Sequence, residues 1–519
     1  MRRNRSAPRI LVVSPEIAWL PPGMGADPAM IIAKAGGMAD VVAGIVTALF
    51  DLGADIHVAV PNYRRLFNVD VSRLAAHTLR AYRRKLPDRR IHLAEDSIFY
   101  YKSAVYHGDI AKTALRFQRE VINHILRDVE PDILHCNDWM TGLIPSMARR
   151  IEVRTIFTMH NVHSHRATLD EIEDSGIATH DFWSHLYYSQ MPRDYEEARA
   201  TNPVDLLTSA IFASQWVNTV SPTFLEEIVR GEHEFVPPSV RDEIRFKHSA
   251  GRAAGVLNSP PAHYRPAIDQ ALVAQYCPDD HRPGKAANKA AFQRRIGLPE
   301  VPGAPLFFWP SRLDPYQKGC DLLAAILPRL VHDYRGAGIQ IAFVADGPYL
   351  EVLSRLVARE RLQAHVALAP FEERFSRLGF AGSDFTLMPS RFEPCGLPQM
   401  IGAIYGSLPL VHKTGGLQDT VSHVTAGTGN GFVFDHHDAR GLRWAFDQAL
   451  LFFERPPEER GAQIARIMRE AVARFNHEET ARAYLDLYER TLERPILTAA
   501  PVIPARRMST IRTGSPPLP

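Results

Sequence analysis

Residues 38–61 read MADVVAGIVTALFDLGADIHVAVP, a helix pattern that runs directly into a strand pattern. Apolar residues at positions 38, 41, 42, 45 and 49 share one helical face, and Gly53 favours a helix stop. DIHVAVP (55–61) is a compact apolar run typical of a buried parallel strand, and so is ILVVS (10–14) upstream. The order strand, loop, helix, strand predicts an open α/β sheet.

The same alternation continues along the chain and then begins a second time. The first unit has further predicted strands at 132–136, 155–160 and 217–221. From about 258 to 290, Pro, Gly and Lys cluster in a way that is typical of an inter-domain crossover. The second unit has predicted strands at 306–313 and 339–347, then HVALAP, DFTLMPS and LPLVHKT, with helices between them. The sequence therefore predicts two α/β domains in tandem with a cleft between them.

Composition excludes several classes of function. The 519-residue chain has 60 Lys and Arg against 58 Asp and Glu, a net charge of +2, which disfavours a nucleic-acid or membrane-surface binder. The four cysteines lack CxxC or metal-type spacing, which indicates a reducing compartment. The N-terminus lacks the apolar core of a signal peptide, and no apolar run of ~20 residues follows. We expect a cytoplasmic protein without a membrane or nucleic-acid partner.

Two cationic residues follow the first strand of the second unit. In SRLDPYQKG (311–319), Arg312 offers a planar fork of donors and Lys318 a point charge, beside the start of a helix. Together they suit a diphosphate without a metal. The alternative for an isolated pair of this kind is a solvated charged loop.

Two later turns have related features. In RFEPCGLPQM (391–400), Glu393 ends a strand as an acceptor for sugar hydroxyls or as a helix cap, and Gly396 and Leu397 open the next helix. We interpret the thiol of Cys395 as a packing group, because no His/Asp order suggests a thiol nucleophile. In KTGGLQDTV (413–421), the glycines let backbone approach an anion closely. Three residues of this turn are candidate phosphate contacts: Thr414, Gly415 and Gly416.

In the first unit, polar residues follow the predicted strands at the edge where α/β sheets bind ligands. Asp138, His160 and Asn161 lie at that edge, although a lone histidine there is more often structural. The histidines at 160, 163 and 165 fall in a predicted loop, so we expect no metal site. No GxGxxG follows the first strand, which argues against a dinucleotide-dependent dehydrogenase.

The stretch IIAKAGGMADVV (31–42) has two open interpretations. It is a strand-to-helix turn with a solvated lysine, or it is half of a site for an anion. In the second case Lys34, Gly36 and Gly37 would contact the ligand.

Taken together and in this order, these segments resemble the bacterial glycogen synthases and plant starch synthases. The resemblance spans residues 10–425 and is carried by KAGGMADVV, DILHCNDWMTGLIP, TIFTMHN, VNTVSPTFLEEI, GKAANK, SRLDPYQKG, FEPCGL and TGGLQDTV. It implies the GT-B fold, two Rossmann-like doubly wound domains with the last helices crossing back onto the first. We expect the chain to divide into 9–262 (N-terminal domain), 263–478 (nucleotide-sugar domain) and 479–495 (crossing helix). Residues 1–8 are expected to be flexible, and 496–519 form a predicted disordered tail because they are Pro- and Arg-rich without periodicity.

The resemblance also implies an activity, namely transfer of glucose from ADP-glucose to the non-reducing 4-OH of an α-1,4-glucan, with retention and without a metal or other cofactor. Matched residues take their roles from the family. Arg312 and Lys318 would neutralise the leaving diphosphate, and Glu393 with the amides of residues 395–397 would hold the sugar. His160 would lie against the anomeric centre, with Asp138 and Asn161 positioning glucose, and the loop from Lys34 to Asp40 would close over the donor.

The chain departs from the family pattern at several places. Arg312 and Lys318 are six positions apart where the family usually has five, HNVHSHR replaces HNxxYQG, and NSPP (258–261) replaces NGID. Pro398 and Ile401 stand where the family usually has Thr and Tyr. Two other functions therefore stay open: a GT-B glucosyltransferase with another nucleotide sugar or a small acceptor, and a catalytically silent glucan-binding regulatory protein.

Overall fold

The computed structural model describes residues 7–25, 28–67, 90–425 and 427–497. The predicted disordered tail lies almost entirely outside these residues, as does most of the predicted flexible N-terminus. The described part contains two large sheets, both parallel throughout. The first has the order β3-β2-β1-β4-β5-β8-β9 and the second the order β12-β11-β10-β13-β14-β15, while β6 and β7 form a separate antiparallel pair. This is the predicted pair of doubly wound α/β domains.

The strands of the first domain are β1 (Arg9–Val13), β2 (Asp55–Pro61), β3 (Ile91–Ala94), β4 (Ile133–Asn137), β5 (Arg154–Met159), β6 (Arg166–Ala167), β7 (Val204–Asp205), β8 (Trp216–Thr219) and β9 (Ala253–Gly255). Those of the second are β10 (Leu306–Trp309), β11 (Gln340–Val344), β12 (Val366–Ala369), β13 (Phe385–Met388), β14 (Leu408–His412) and β15 (Phe432–Phe434). Most central strands are buried along their whole length, because helices cover both faces of a parallel sheet.

The helices before the second sheet are α1 (Gly37–Asp51), α2 (Ser97–Tyr100), α3 (Ile110–Glu120), α4 (Leu126–Val129), α5 (Ile144–Ala148), α6 (Leu169–Asp174), α7 (Tyr195–Thr201), α8 (Leu206–Ala213), α9 (Pro222–Arg230), α10 (Pro238–Ser249) and α11 (His281–Ile296). A π-helical turn, Val121–Ile125, joins α3 to α4. The later helices are α12 (Cys320–Asp333), α13 (Leu350–Arg359), α14 (Glu373–Gly382), α15 (Pro398–Ile404), α16 (Gly415–Thr420), α17 (Ala439–Phe453), α18 (Pro457–Arg474) and α19 (His477–Leu492).

The last helix belongs to the core of the first domain. Tyr484 and Tyr488 are fully buried there, and the hydroxyl of Tyr488 is 2.8 Å from Nδ1 of His135 on β4. Gly44 makes the crossing of α1 and α19 possible, because a Cβ at that position would lie 2.3–2.5 Å from the ring of His477. The chain thus returns to its first sheet after completing the second.

Two expectations from the sequence need correction. The crossover does not run irregularly to residue 290, because α11 begins at His281 and includes the lysines of GKAANK. Three edge strands, β3, β9 and β15, were not predicted. The residues of β9 are AAG, which have no strand preference, so sheet pairing and not local sequence determines this strand. Within the described part of the chain, no helix is long and apolar enough to cross a membrane.

Candidate functional site

The loop of the KAGG motif is held by a buried carboxylate. Oε2 of Glu16, three residues after β1, accepts hydrogen bonds from the backbone N–H groups of Ala35 (2.7 Å) and Gly36 (2.9 Å). Gly36 is the N-cap of α1, and the helix begins at Gly37. The glycines thus form the strand-to-helix turn, and the Gly36 amide is engaged by protein.

The Lys34 side chain extends from this turn toward the start of α1. Its Nζ lies 2.7 Å from Oδ2 of Asp40, and the lysine side chain is about half exposed. Burial raises the pKa of Asp40 above its ordinary value, and Lys34 opposes that rise. The charges of Glu373 and His263 also act on Asp40, so this loop faces segments that lie beyond the first sheet. Lys34 is therefore a cation on the side of the first domain that faces the second.

Asp138 follows β4 with a strained backbone. Its φ of 55° and ψ of 174° lie in a region that is essentially restricted to glycine. The carboxylate holds this conformation, because Oδ1 accepts the backbone N–H of His160 at 2.8 Å and Oδ2 accepts the side-chain amide of Asn161 at 2.8 Å. The structure thus brings together three residues that the sequence analysis singled out at the ends of two strands. Strain of this kind concentrates at functional sites.

The buried surroundings of His160 favour the neutral form of its side chain. Burial lowers the pKa of His160 to about 4, and it raises the pKa of Asp138 to about 7 against the opposing backbone hydrogen bonds. Nε2 of His160 is 3.0 Å from Oδ1 of Asn137, whose amide nitrogen is committed to the carbonyl of Val13. Because Oδ1 can only accept, Nε2 carries the proton and Nδ1 has a free lone pair. At neutral pH, His160 can therefore accept a hydroxyl proton but is not cationic.

In the second domain, Lys318 and Glu393 form a close pair. Nζ of Lys318 lies 2.5 Å from Oε2 of Glu393, and the side chains are only 13% and 7% exposed. The hydroxyl of Ser390 also donates to Oε2, at 3.2 Å. Arg312 is exposed on the same loop as Lys318, where its guanidinium is 3.4 Å from Oε1 of Gln317, and it forms no ion pair with any described carboxylate. The loop thus presents one paired cation and one available cation.

The residues after Glu393 divide between core and surface. The Cys395 side chain is buried in the core of the second domain, and burial raises the pKa of its thiol to about 12, as expected for a packing group. Gly396 has a φ of +74°, and Leu397 is the N-cap of α15. Gly396 and Leu397 are partly exposed, so their backbone is accessible at the edge of the second sheet.

The Thr-Gly-Gly turn is already occupied by protein. Oε1 of Glu227 on α9 accepts the N–H of Gly415 at 2.8 Å and the hydroxyl of Thr414 at 3.1 Å. The N–H of Gly416 donates to the carbonyl of Glu393 at 3.0 Å, and a Cβ on Gly415 would lie 2.1 Å from that carbonyl oxygen. The glycines thus allow two backbone segments to pack closely. Two of the three residues predicted to contact a phosphate are bonded instead to the Glu227 carboxylate of the first domain.

A reciprocal contact completes the interface of these two helices. Asp419 on α16 accepts the backbone N–H of Thr223 at 3.0 Å and its hydroxyl at 2.7 Å, in the first turn of α9. Each helix therefore supplies a carboxylate to the N-terminus of the other, where the helix dipole favours negative charge. This contact joins the two domains beside the Lys318–Glu393 pair.

Several residues of this site were missed from the sequence. Glu16 lies in the loop just after the first strand, so a search of the loops that follow strands would have identified it as it did Asp138. The hydroxyl of Tyr106 donates to Oε1 of Glu16 at 3.4 Å, and the charge of Asp138 acts on it. Glu227 had no signal, because it lies inside an ordinary amphipathic helix. No group of three His, Cys, Asp or Glu residues in the described ranges is placed to hold a metal ion.

Comparison with known proteins covers both halves of the chain. A family model for the starch synthase catalytic domain matches residues 9–236, and a model for glycosyl transferases group 1 matches residues 304–451. The glycogen synthase of Exiguobacterium sibiricum is 32% identical, with 82% of this chain and 90% of that protein covered. The glycogen synthase of Moorella thermoacetica is also 32% identical, with 94% and 97% covered. The catalytic domain of starch synthase IV from Arabidopsis thaliana, solved with ADP and acarbose, matches with a TM-score of 0.74 at 24% identity and covers 94% of this chain and 100% of that one.

Proposed function

Because the chain belongs to the glycogen synthase family and is a GT-B glucosyltransferase acting on a nucleotide sugar, we propose how its site selects the substrates and performs the transfer. The donor is ADP-glucose, and the acceptor is the non-reducing 4-OH of an α-1,4-glucan. The ADP and acarbose bound to starch synthase IV support an adenine nucleotide and an oligosaccharide of glucan type. We place the enzyme in the cytoplasm.

The observation that carries this proposal is the arrangement of Arg312, Lys318 and Glu393 at the carboxyl edge of the second sheet. Lys318 is held rigidly by Glu393, and the Arg312 fork is available for a diphosphate. The remaining carboxylate oxygen of Glu393 can accept sugar hydroxyls. We infer that these two cations carry the charge stabilisation for which other transferases use a metal ion.

The reaction follows from this charge arrangement. The bond between C1 of glucose and the phosphate oxygen breaks, and positive charge develops on the sugar as negative charge develops on the diphosphate. Arg312 and Lys318 stabilise the departing diphosphate because they are already in place. The acceptor O4 attacks C1 on the same face, and its proton passes to the departing phosphate oxygen, so the configuration is retained.

In the first domain, the polar residues that follow β4 and β5 position the sugar during this step. Asp138 holds the backbone of His160 and the amide of Asn161, and neutral His160 offers Nδ1 to a sugar hydroxyl. A neutral ring avoids placing a full positive charge beside the cationic sugar of the transition state. Lys34 closes over the donor from the first domain, which requires it to exchange its contact with Asp40 for one with phosphate.

A donor and acceptor screen tests the proposal. Purified enzyme is incubated with ADP-, UDP- or GDP-glucose, each with and without glycogen, and nucleotide release and glucan elongation are measured together. We expect elongation with ADP-glucose to exceed that with the other donors. Elongation with another donor would reassign the base, transfer to a small acceptor alone would reassign the acceptor, and glycan binding without turnover from any donor would support a regulatory protein.

A further inference from the structure

The loop between Arg312 and Lys318 has a compact internal turn. Oδ1 of Asp314 accepts the N–H groups of Tyr316 and Gln317, both at 3.0 Å, and its carbonyl accepts the N–H of Lys318 at 2.8 Å. Lys318 reaches Glu393 although the segment is one residue longer than the usual family spacing. The Tyr316 side chain is left 56% exposed. A large aromatic ring therefore stands in solvent two residues from a site cation.

Tyr316 is the end of a series of packed rings beside the reaction centre. Its ring packs edge-on against Phe392, the neighbour of Glu393, with centroids 5.8 Å apart at 68°. Phe392 in turn stacks on Phe235 of the first domain, with centroids 3.9 Å apart at 28°. We name Tyr316, Phe392 and Phe235 the aromatic shelf. It spans both domains, and Tyr316 is its exposed end.

Sheet order shows which part of the donor the shelf adjoins. Strand β10, which carries the Tyr316 loop, lies between β11 and β13. The Tyr316 ring contacts Phe392 in the loop after β13, the loop that also holds Glu393. The ring therefore lies on the β13 side of β10 and not on the side of β11 and β12. The diphosphate cations are on the β10 loop and the sugar-binding carboxylate is on the β13 loop. The shelf therefore adjoins the glucose end of the donor, where an acceptor has to approach.

We propose that Tyr316 forms an acceptor subsite that stacks against the apolar face of a glucose unit in an α-glucan, at some distance from the reacting 4-OH. The inference rests on the proposed function. Its physical basis is that pyranose rings present C–H groups on one face, and a fixed aromatic ring offers them apolar contact area at little entropic cost. The Asp314 turn and Phe392 fix the ring, so little ordering is needed when the glucan binds.

The test compares Tyr316→Ala, Tyr316→Phe and wild type. Because aromatic stacking contributes about 0.5–1.5 kcal/mol, we expect Tyr316→Ala to raise the Kd for maltoheptaose, measured calorimetrically without donor, and the acceptor KM by about three- to tenfold. Tyr316→Phe should stay within about twofold of wild type, since the ring face is kept. The effect should fall on the acceptor KM and not on the donor KM.

Phe246→Ala is the matched control. Phe246 is 59% exposed, lies near the end of α10 and is not part of the aromatic shelf. It should bind and elongate maltoheptaose like wild type. An unchanged Kd in Tyr316→Ala, or an equal loss in kcat and donor affinity without an acceptor effect, would overturn the subsite. Wild type that binds maltoheptaose yet transfers glucose from no nucleotide sugar contradicts the proposed function instead, and the Kd comparison still decides the subsite.

Discussion

Replacing Lys318 by alanine should change both turnover and stability, because this lysine is proposed to face the diphosphate and also pairs with the buried Glu393. The substitution removes the cation 2.5 Å from Glu393 and leaves a buried carboxylate whose remaining side-chain donor is Ser390. Loss of one preorganised donor to a developing negative charge costs about 10²–10³ in kcat, or about 2.7–4 kcal/mol. We therefore expect Lys318→Ala to reduce turnover by at least about 100-fold.

The same substitution should also destabilise the protein, because breaking a buried ion pair costs about 3–5 kcal/mol. The double variant Lys318→Ala with Glu393→Gln removes the unpaired charge as well. It should recover most of the free energy of unfolding and none of the turnover. Because Glu393 is itself placed at the sugar, the double variant tests the stability effect alone, and a recovered free energy of unfolding would assign the loss of stability to the unpaired carboxylate.

The assay measures nucleotide release at saturating donor and glycogen, with urea unfolding followed by circular dichroism on the same preparations. Arg329→Ala is the control, because Arg329 lies further along α12 and is 87% exposed. It should keep wild-type kcat. Turnover within about threefold of wild type in Lys318→Ala would contradict the expected loss of about 100-fold, and it would show that the longer loop has moved the phosphate site away from this residue.

Further predictions concern Asp138 and Glu227. Because burial raises the pKa of Asp138 to about 7, kcat/KM should fall below pH 7 as the carboxylate takes up a proton, and Asp138→Asn should lose that acid limb in a pH–rate profile. The cost of the buried charge to stability is fully present above pH 7 and is relieved as the pH falls, so the stability of wild type relative to Asp138→Asn should increase between pH 8 and pH 5. Asp138→Ala should be less stable to urea than Asp138→Gly by about 1–2 kcal/mol, because glycine adopts the observed φ and ψ without strain and alanine does not. At most positions alanine is the more stable of the two residues. Equal stability of the two variants would mean that the strain is absent. Glu227→Gln should lower the free energy of unfolding by about 1.5–3 kcal/mol, because Glu227 accepts the N–H of Gly415 across the domain interface. The control is Glu226→Gln on the same helix, where the exposed carboxylate pairs with His248, and it should change the free energy of unfolding by less than about 0.5 kcal/mol. Similar losses in the two variants would contradict the inter-domain role of Glu227.

The sequence by itself determined the fold class and named most of the residues that the structure brings together at the candidate site. Buried parallel strands are continuous apolar runs, and amphipathic helices repeat every three to four residues, so both patterns are legible locally. Polar residues in the loops after those strands lie at the carboxyl edge of their own sheet, which is why Asp138 and His160 could be named in the first domain and Lys318 and Glu393 in the second. These features depend on neighbours in the chain.

The tertiary structure alone decided what those residues contact. Glu227 and Gly415 are 188 positions apart, and their hydrogen bond exists only because α9 and α16 meet across the two domains. The same holds for the stack of Phe235 on Phe392, which determines where Tyr316 lies. No local pattern encodes such contacts, because each depends on how two separately folded sheets pack together. The glycines of the Thr-Gly-Gly turn were identified from the sequence, but the carboxylate that they face comes from the other domain.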